Sequence, residues 1–280
     1  MMMIAIFPNS QKSHSINLAI GIREFLSSRG VVVVAEDQDA KLIGATPFSE
    51  IDPNEIDFLL SMGGDGTILG LVHKYEHLDA AIVGINLGHL GFMADIPLSD
   101  IYPSLQDLLN GAYQIEERIA IQGQFSNASH CYAVNDIVIH RGKNPSLVEV
   151  AIHVDGAYLN TFEADGIIVA TPNGSTAYSL AAGGPILSPT LEALVLTPIS
   201  PHTISNRPIV LTCHKEIQIQ YLSEYDPLEI RADGLIYQEI SKGKSFRITR
   251  SKKNFRLVSL LRRDYFSTLR SKLGWAGKLR

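Results

Sequence analysis

The feature that most constrains this chain is a change of texture near residue 115. Before it, short apolar runs alternate with helical stripes. Residues 4–7, 31–35, 56–62 and 81–86 are rich in Ile, Val, Leu and Ala, as strands buried on both faces are. Within 11–28, Leu18, Ile22, Phe25 and Leu26 recur at helical spacing; so do Ile68, Leu71, Val72 and Tyr75. Residues 101–109 read as a short helix ended by Asn110-Gly111. Strands alternating with helices build a mostly parallel sheet. After 115 the runs shorten and follow one another directly: 132–140, 147–154, 158–162, 166–171, 209–212, 217–221 and 228–230. Asp155-Gly156, Asp165-Gly166 and Asp233-Gly234 punctuate them as turns. The pattern predicts a Rossmann-like α/β domain over 1–115 and an all-β antiparallel sandwich over 116–262. Residues 175–182 form a helix embedded in that sandwich. A basic amphipathic C-terminal helix over 263–280 is expected to pack back on the first domain.

Composition narrows the classes of partner. Net charge is −5, which argues against bulk nucleic-acid binding. No apolar run reaches the ~18 residues of a membrane span, and the N-terminus has no basic, signal-like segment. Cys131 and Cys213 form no metal or disulfide spacing, which fits a reducing, cytoplasmic setting. No His/Cys/Asp cluster suggests a resident metal. Residues 241–280 carry 13 Lys or Arg against one acid, Asp264. That stretch reads either as a polyanion-binding tail or as a segment lying on an acidic body. Its Phe255, Leu257, Leu260, Tyr265, Phe266, Leu269, Leu273 and Trp275 favour burial.

Two motifs carry chemistry. Gly63-Gly64-Asp65-Gly66-Thr67 sits between a buried strand and a helix. Glycines there let backbone approach a ligand, and the N–H groups of the helix start favour an anion. Gly63, Gly64, Gly66 and Thr67 are therefore candidate phosphate contacts. Asp65 would repel phosphates unless a metal ion or a proton to be abstracted offsets its charge; its plainer reading is a helix N-cap. The second motif runs from Thr171 to Pro185, with a Pro172-Asn173-Gly174 turn, then Ser175, Thr176 and a run of small residues broken by Tyr178. Small side chains admit a bulky ligand closely, or simply pack a helix on a sheet. Asn135-Asp136 lies in an apolar strand, a ligand contact or a bulge. His89, within Gly88-His89-Leu90-Gly91-Phe92, is more often structural than catalytic.

Together these residues resemble the NAD kinase family over nearly the whole chain. The glycine turn is shared with a wider kinase superfamily. The 171–185 stretch is far more specific, as is its combination with Asn135-Asp136, Asp165-Gly166, residues 207–210 and the ending 264–275. The resemblance implies phosphoryl transfer to the 2′-hydroxyl of NAD's adenosine ribose, with Asp65 as the catalytic acid-base residue. It implies NAD contacts at Asp65, Gly66, Phe92, Asn135, Asp136, Ser146, Glu163, Asp165, Thr176, Ala177, Tyr178, Ser179, Leu180 and Ala181. It also implies NAD and ATP or polyphosphate as substrates, a divalent cation such as Mg²⁺, and a homodimer or homotetramer without nucleic-acid or membrane partners. Asp136 stands where the family more often has Glu, Asn173 where Thr is usual, and Leu235 where many relatives carry Gln. Glu163 replaces a basic or neutral residue. The rival functions are a lipid or diacylglycerol-type kinase sharing the glycine turn, and a non-catalytic dinucleotide-binding regulator.

Overall fold

The computed structural model describes residues 1–9, 13–88, 90–125, 129–260, 262, 264–275 and 277. Gln11, Lys12, His89 and the last residues of the 263–280 segment, 278–280, lie outside that set. The chain divides into two compact units, residues 1–117 with 256–280, and residues 118–255.

The first unit opens with β1 (Met3–Phe7), α1 (Ser13–Ser27), β2 (Val32–Ala35), α2 (Asp37–Ile43) and β3 (Thr46–Pro47). Then come β4 (Phe58–Gly63), α3 (Asp65–Lys74), β5 (Ala81–Asn86), β6 (Ile96–Pro97), α4 (Ile101–Leu109) and β7 (Gln114–Arg118). Helix α2 follows Glu36 and ends on Gly44 in the left-handed conformation. At seven residues it is too short to leave a periodic signal. β1, β2, β4 and β5 pair in parallel, and the sheet runs β3-β2-β1-β4-β5. The order reverses beside β1, and open α/β sheets bind ligands beyond the carboxyl ends of strands at such a point. Ile4, Ile6, Leu60, Met62 and Ile85 are fully buried, which accounts for their continuous apolar runs.

The second unit contains β8 (Ile121–Gln124), β9 (His130–Ala133), β10 (Asp136–His140), β11 (Val148–Val154), β12 (Ala157–Ala164) and β13 (Gly166–Ala170). After a 3-10 turn at Gly174–Thr176 come α5 (Tyr178–Ala181), β14 (Ala193–Ile199), β15 (Ile209–Thr212), β16 (Ile217–Tyr221), β17 (Leu228–Ala232), β18 (Leu235–Ile240) and β19 (Ser245–Arg250). Two six-stranded antiparallel sheets result, ordered β15-β14-β13-β10-β17-β18 and β12-β11-β16-β19-β8-β9. Their inner faces share one core: Ile137, Ile139, Val169, Leu196 and Ile230 from the first sheet meet Val150, Ile152, Phe162, Ile219 and Phe246 from the second. β16 shows the alternation, with Ile217, Ile219 and Tyr221 buried and Gln218 and Gln220 half-buried.

Three sequence expectations change here. The run 132–140 is not one strand but two in different sheets, broken at Val134-Asn135. The helix expected over 175–182 is a 3-10 turn followed by the four residues of α5. Residues 256–262, expected with the sandwich, belong to the first unit: β20 (Phe255–Ser259) joins its sheet, Leu257 pairing in parallel with Ile82. A five-residue strand such as this reads the same in either sheet; its partner is set by the neighbour that buries it. α6 (Tyr265–Leu273) then follows, N-capped by Asp264, which accepts from Ser267 N, and closed by left-handed Gly274.

Candidate functional site

In the first unit, β4 delivers Gly63 to the carboxyl edge of the sheet, with Asn86 of β5 beside it. Gly64 is the N-cap of α3, and Asp65 is the first helical residue. Thr67 folds back over the turn: its Oγ1 accepts from Gly64 N at 3.4 Å, and a Cβ on Gly63 would fall 2.1 Å from that oxygen. Gly63 is therefore required by its own helix, a requirement separate from any phosphate.

Asp65 does not cap α3. Its carboxylate turns to the segment after β5, where Oδ2 accepts from Phe92 N at 2.8 Å and Oδ1 from Met93 N and Ala94 N at 3.0 Å each. Asn86 shapes that segment, donating from Nδ2 to Ala94 O and accepting from Gly88 N on Oδ1. Gly84, within β5, lets it lie on the sheet, since a Cβ there would come within 2.6 Å of Met93 O. A Cβ on Gly91 would meet Asp65 Oδ1 at 2.1 Å. Gly84 and Asn86 escaped the sequence reading, although a glycine inside an apolar strand was the available signal. Phe92 packs against α6, its ring 6.1 Å from that of Tyr265, with Lys272 Nζ 5.7 Å above it.

In the second unit, the break between β9 and β10 organises a second group. Asn135 Oδ1 accepts from Asn173 Nδ2 at 2.6 Å, and Asn173 Oδ1 accepts from the buried Arg118 at 2.5 Å. Thr171 bonds the same segment through its N–H to Asn135 O and its hydroxyl to Val134 O. Gly174 must lack a side chain, because a Cβ would sit 2.1 Å from Asn135 O. Asp233, read from the sequence as a turn residue, aims its carboxylate at Val134, Asn135 and Asp136. Asp136 is buried, and burial first, then the negative charge of Asp233, pushes its carboxyl up to about 7.

The other expected contacts are dispersed in this unit. Ser175 is consumed locally, donating to Pro172 O and accepting from Leu187 N. Thr176 donates to Asn173 O. Ser179 is buried and shares a 2.9 Å hydrogen bond with Thr197, while Tyr178 is exposed. Ala177, Leu180 and Ala181 flank them on the same short segment. Asp165 is ion-paired with Arg141 at 2.6 Å. Register places it beyond the opposite end of the β10–β13 ladder from Asp136, since Asp136 faces Ala170 and His140 faces Gly166; five residues of strand separate them, about 17 Å at ~3.3 Å per residue. Glu163 lies half-exposed beside His202 at 3.7 Å, and Ser146 is exposed in the β10–β11 connection. Glu192, Cys213 and His214 also cluster in this unit, but Arg250 already donates to Glu192 at 2.7 Å and contacts Cys213 Sγ at 3.6 Å.

Among the described residues, no helix is long and apolar enough to cross a membrane. The chain matches the family models for the ATP-NAD kinase N-terminal domain over residues 4–113 and C-terminal domain over 134–260. It is 54% identical over 278 residues to an NAD kinase of Protochlamydia amoebophila, covering 99% of this chain and 100% of the relative. It is 37% identical to an NAD kinase of Geotalea daltonii, covering 97% and 98%. Among solved structures, yeast NADH kinase complexed with NADH superposes with a TM-score of 0.85 at 27% identity, covering 100% of this chain and 89% of that one. An NAD kinase from Archaeoglobus fulgidus in complex with ATP gives 0.77 at 26% identity, covering 99% and 100%. With both halves of the sequence matched by family models and a relative more than half identical along its full length, this chain belongs to the NAD kinase family.

Proposed function

We propose that this protein transfers the γ-phosphoryl group of a nucleoside triphosphate, ATP in the first instance, to the 2′-hydroxyl of the adenosine ribose of NAD, giving NADP. The observation that carries the proposal is the state of Asp65. A carboxylate has about four acceptor positions. Backbone N–H groups fill two on Oδ1 and one on Oδ2, fixing the group and leaving one position on Oδ2 for an incoming hydroxyl. Asp65 would orient the ribose hydroxyl and take its proton as the bond to phosphorus forms. The N-terminus of α3 offers backbone N–H groups and a favourable dipole to the phosphates. In such a transfer the protein mostly positions reactants and stabilises charge. Asn135 and Asp136 would bind ribose hydroxyls, and the 171–181 segment the rest of the dinucleotide.

The divalent cation in this reading, Mg²⁺, enters with the triphosphate and keeps much of its water, so it needs few protein ligands. The proposal includes a homo-oligomer and a cytoplasmic setting, for which the support is the resemblance and the cysteine usage.

The test is incubation with NAD, ATP and Mg²⁺, NADP being read through an NADP-specific dehydrogenase, with Asp65→Asn in parallel. NADP from the unsubstituted protein, with turnover lower by on the order of 10²–10⁴-fold in the variant, is the expected result. No NADP with ATP, other triphosphates or polyphosphate, from folded protein that binds NAD, would overturn it.

A further inference from the structure

Every backbone polar group from Val134 to Asp136 is bonded by just two residues. The N–H groups of Val134, Asn135 and Asp136 donate to Asp233, at 2.8 Å to Oδ2 and 2.7 and 3.2 Å to Oδ1. The carbonyl of Asp136 accepts from Asp233 N at 3.0 Å. The carbonyls of Val134 and Asn135 accept from the hydroxyl and N–H of Thr171 at 2.6 and 2.9 Å. This segment runs from the end of β9 into the first residue of β10, strands of different sheets, and carries the two side chains assigned above to ribose binding. Unpaired backbone groups in such a place are costly, so the segment takes the one conformation that satisfies all six.

The identity of residue 233 is informative. Asp233 has φ +48° and Gly234 φ +85°, the signature of a tight hairpin turn joining β17 to β18. Turn chemistry alone favours Asn-Gly as much as Asp-Gly there, because Asn tolerates the left-handed region. The carboxylate has a use that an amide cannot match: it offers two acceptor oxygens and no donor to three converging N–H groups. An asparagine would place its NH₂ against one of them. Asp155-Gly156 has the same backbone signs at the β11–β12 turn, but its carboxylate is half-exposed and binds Lys215 and Glu216 N.

We infer that Asp233 is a positioning residue for the dinucleotide: by gathering the amides of Val134, Asn135 and Asp136 on one carboxylate, it fixes where the Asn135 and Asp136 side chains stand. The inference rests on the reading of this unit as the NAD-binding part. Asp233 touches no substrate in this role. It acts through the backbone and, as the charged neighbour of Asp136, through that residue's proton. Arg118 is directed to Asn173, not to Asp136.

The test is Asp233→Asn, which retains the turn and removes the second acceptor and the charge. Affinity for NAD should fall by roughly ten- to a hundredfold. The pH at which Asp136 titrates, followed by carboxyl carbon NMR, should move down. Titration of Asp136 and NAD affinity both equal to those of the unsubstituted protein would overturn the inference. If the variant does not fold, the unsubstituted protein still decides: the amides of 134–136 should resist hydrogen exchange as one unit, and independent exchange of the three would overturn it. Failure of the unsubstituted protein to bind NAD would count against the proposed function instead, leaving the amide readout to judge the clamp.

Discussion

Gly91 leaves the space that the Asp65 carboxylate fills: a Cβ on Gly91 would lie 2.1 Å from Asp65 Oδ1. The carboxylate rests on the backbone of residues 91–94, and a side chain at 91 must displace it. Gly91→Ala is therefore expected to lower kcat by about 10²-fold, the cost of roughly an ångström of misplacement at a reacting group. The KM for NAD should change far less. Steady-state kinetics beside a thermal unfolding curve checks this, and an unchanged kcat in a folded variant would show that Asp65 does not need its seat.

Asp136 makes stability depend on pH in a stated direction. Its carboxyl is raised from the usual 3.8 to about 7 in the folded protein, by burial and then by Asp233. Below about pH 4 it is protonated in both folded and unfolded chains. Between about 4 and 7 the unfolded chain releases the proton and the folded one retains it, so stability is lost as pH rises through that window. Asp136→Asn should gain on the unsubstituted protein between pH 5 and pH 7.5, by at most a few kcal/mol. Urea unfolding at both pH values measures it; a difference that does not vary with pH would remove Asp136 as its source.

Ser179 and Thr197 hold each other's hydroxyls in a fully buried pair. Thr197→Val leaves the Ser179 hydroxyl without that partner and should cost about 1–3 kcal/mol. Ser179→Ala combined with Thr197→Val should recover part of the loss, because no orphaned polar group remains. A double-mutant cycle by chemical denaturation reads the coupling, and strict additivity would contradict it.

Asn173 links Arg118 to Asn135, a bridge that a threonine at this position is too short to make in the same way. Asn173→Ala should destabilise the protein by roughly 1–3 kcal/mol and raise the KM for NAD, with kcat little altered. Kinetics with kcat reduced and KM intact would place Asn173 elsewhere in the cycle.

The sequence by itself determined the α/β and all-β textures, the strand-turn-helix around Asp65 and the amphipathic C-terminal helix. Periodicity, glycine turns and caps are local, set by residues within one or two turns of each other. Family resemblance singled out Asn135, Asp136 and the 171–181 run. What only tertiary structure decided are the partners. Asp65 finds its donors 27 to 29 residues away because β4 and β5 end side by side. Asp233 finds its donors 97 to 99 residues away because β10 and β17 pair. The break at Val134-Asn135 and the return of β20 to the first sheet have the same origin. A carboxylate's local sequence shows that it can accept hydrogen bonds, but strand order decides which N–H groups reach it.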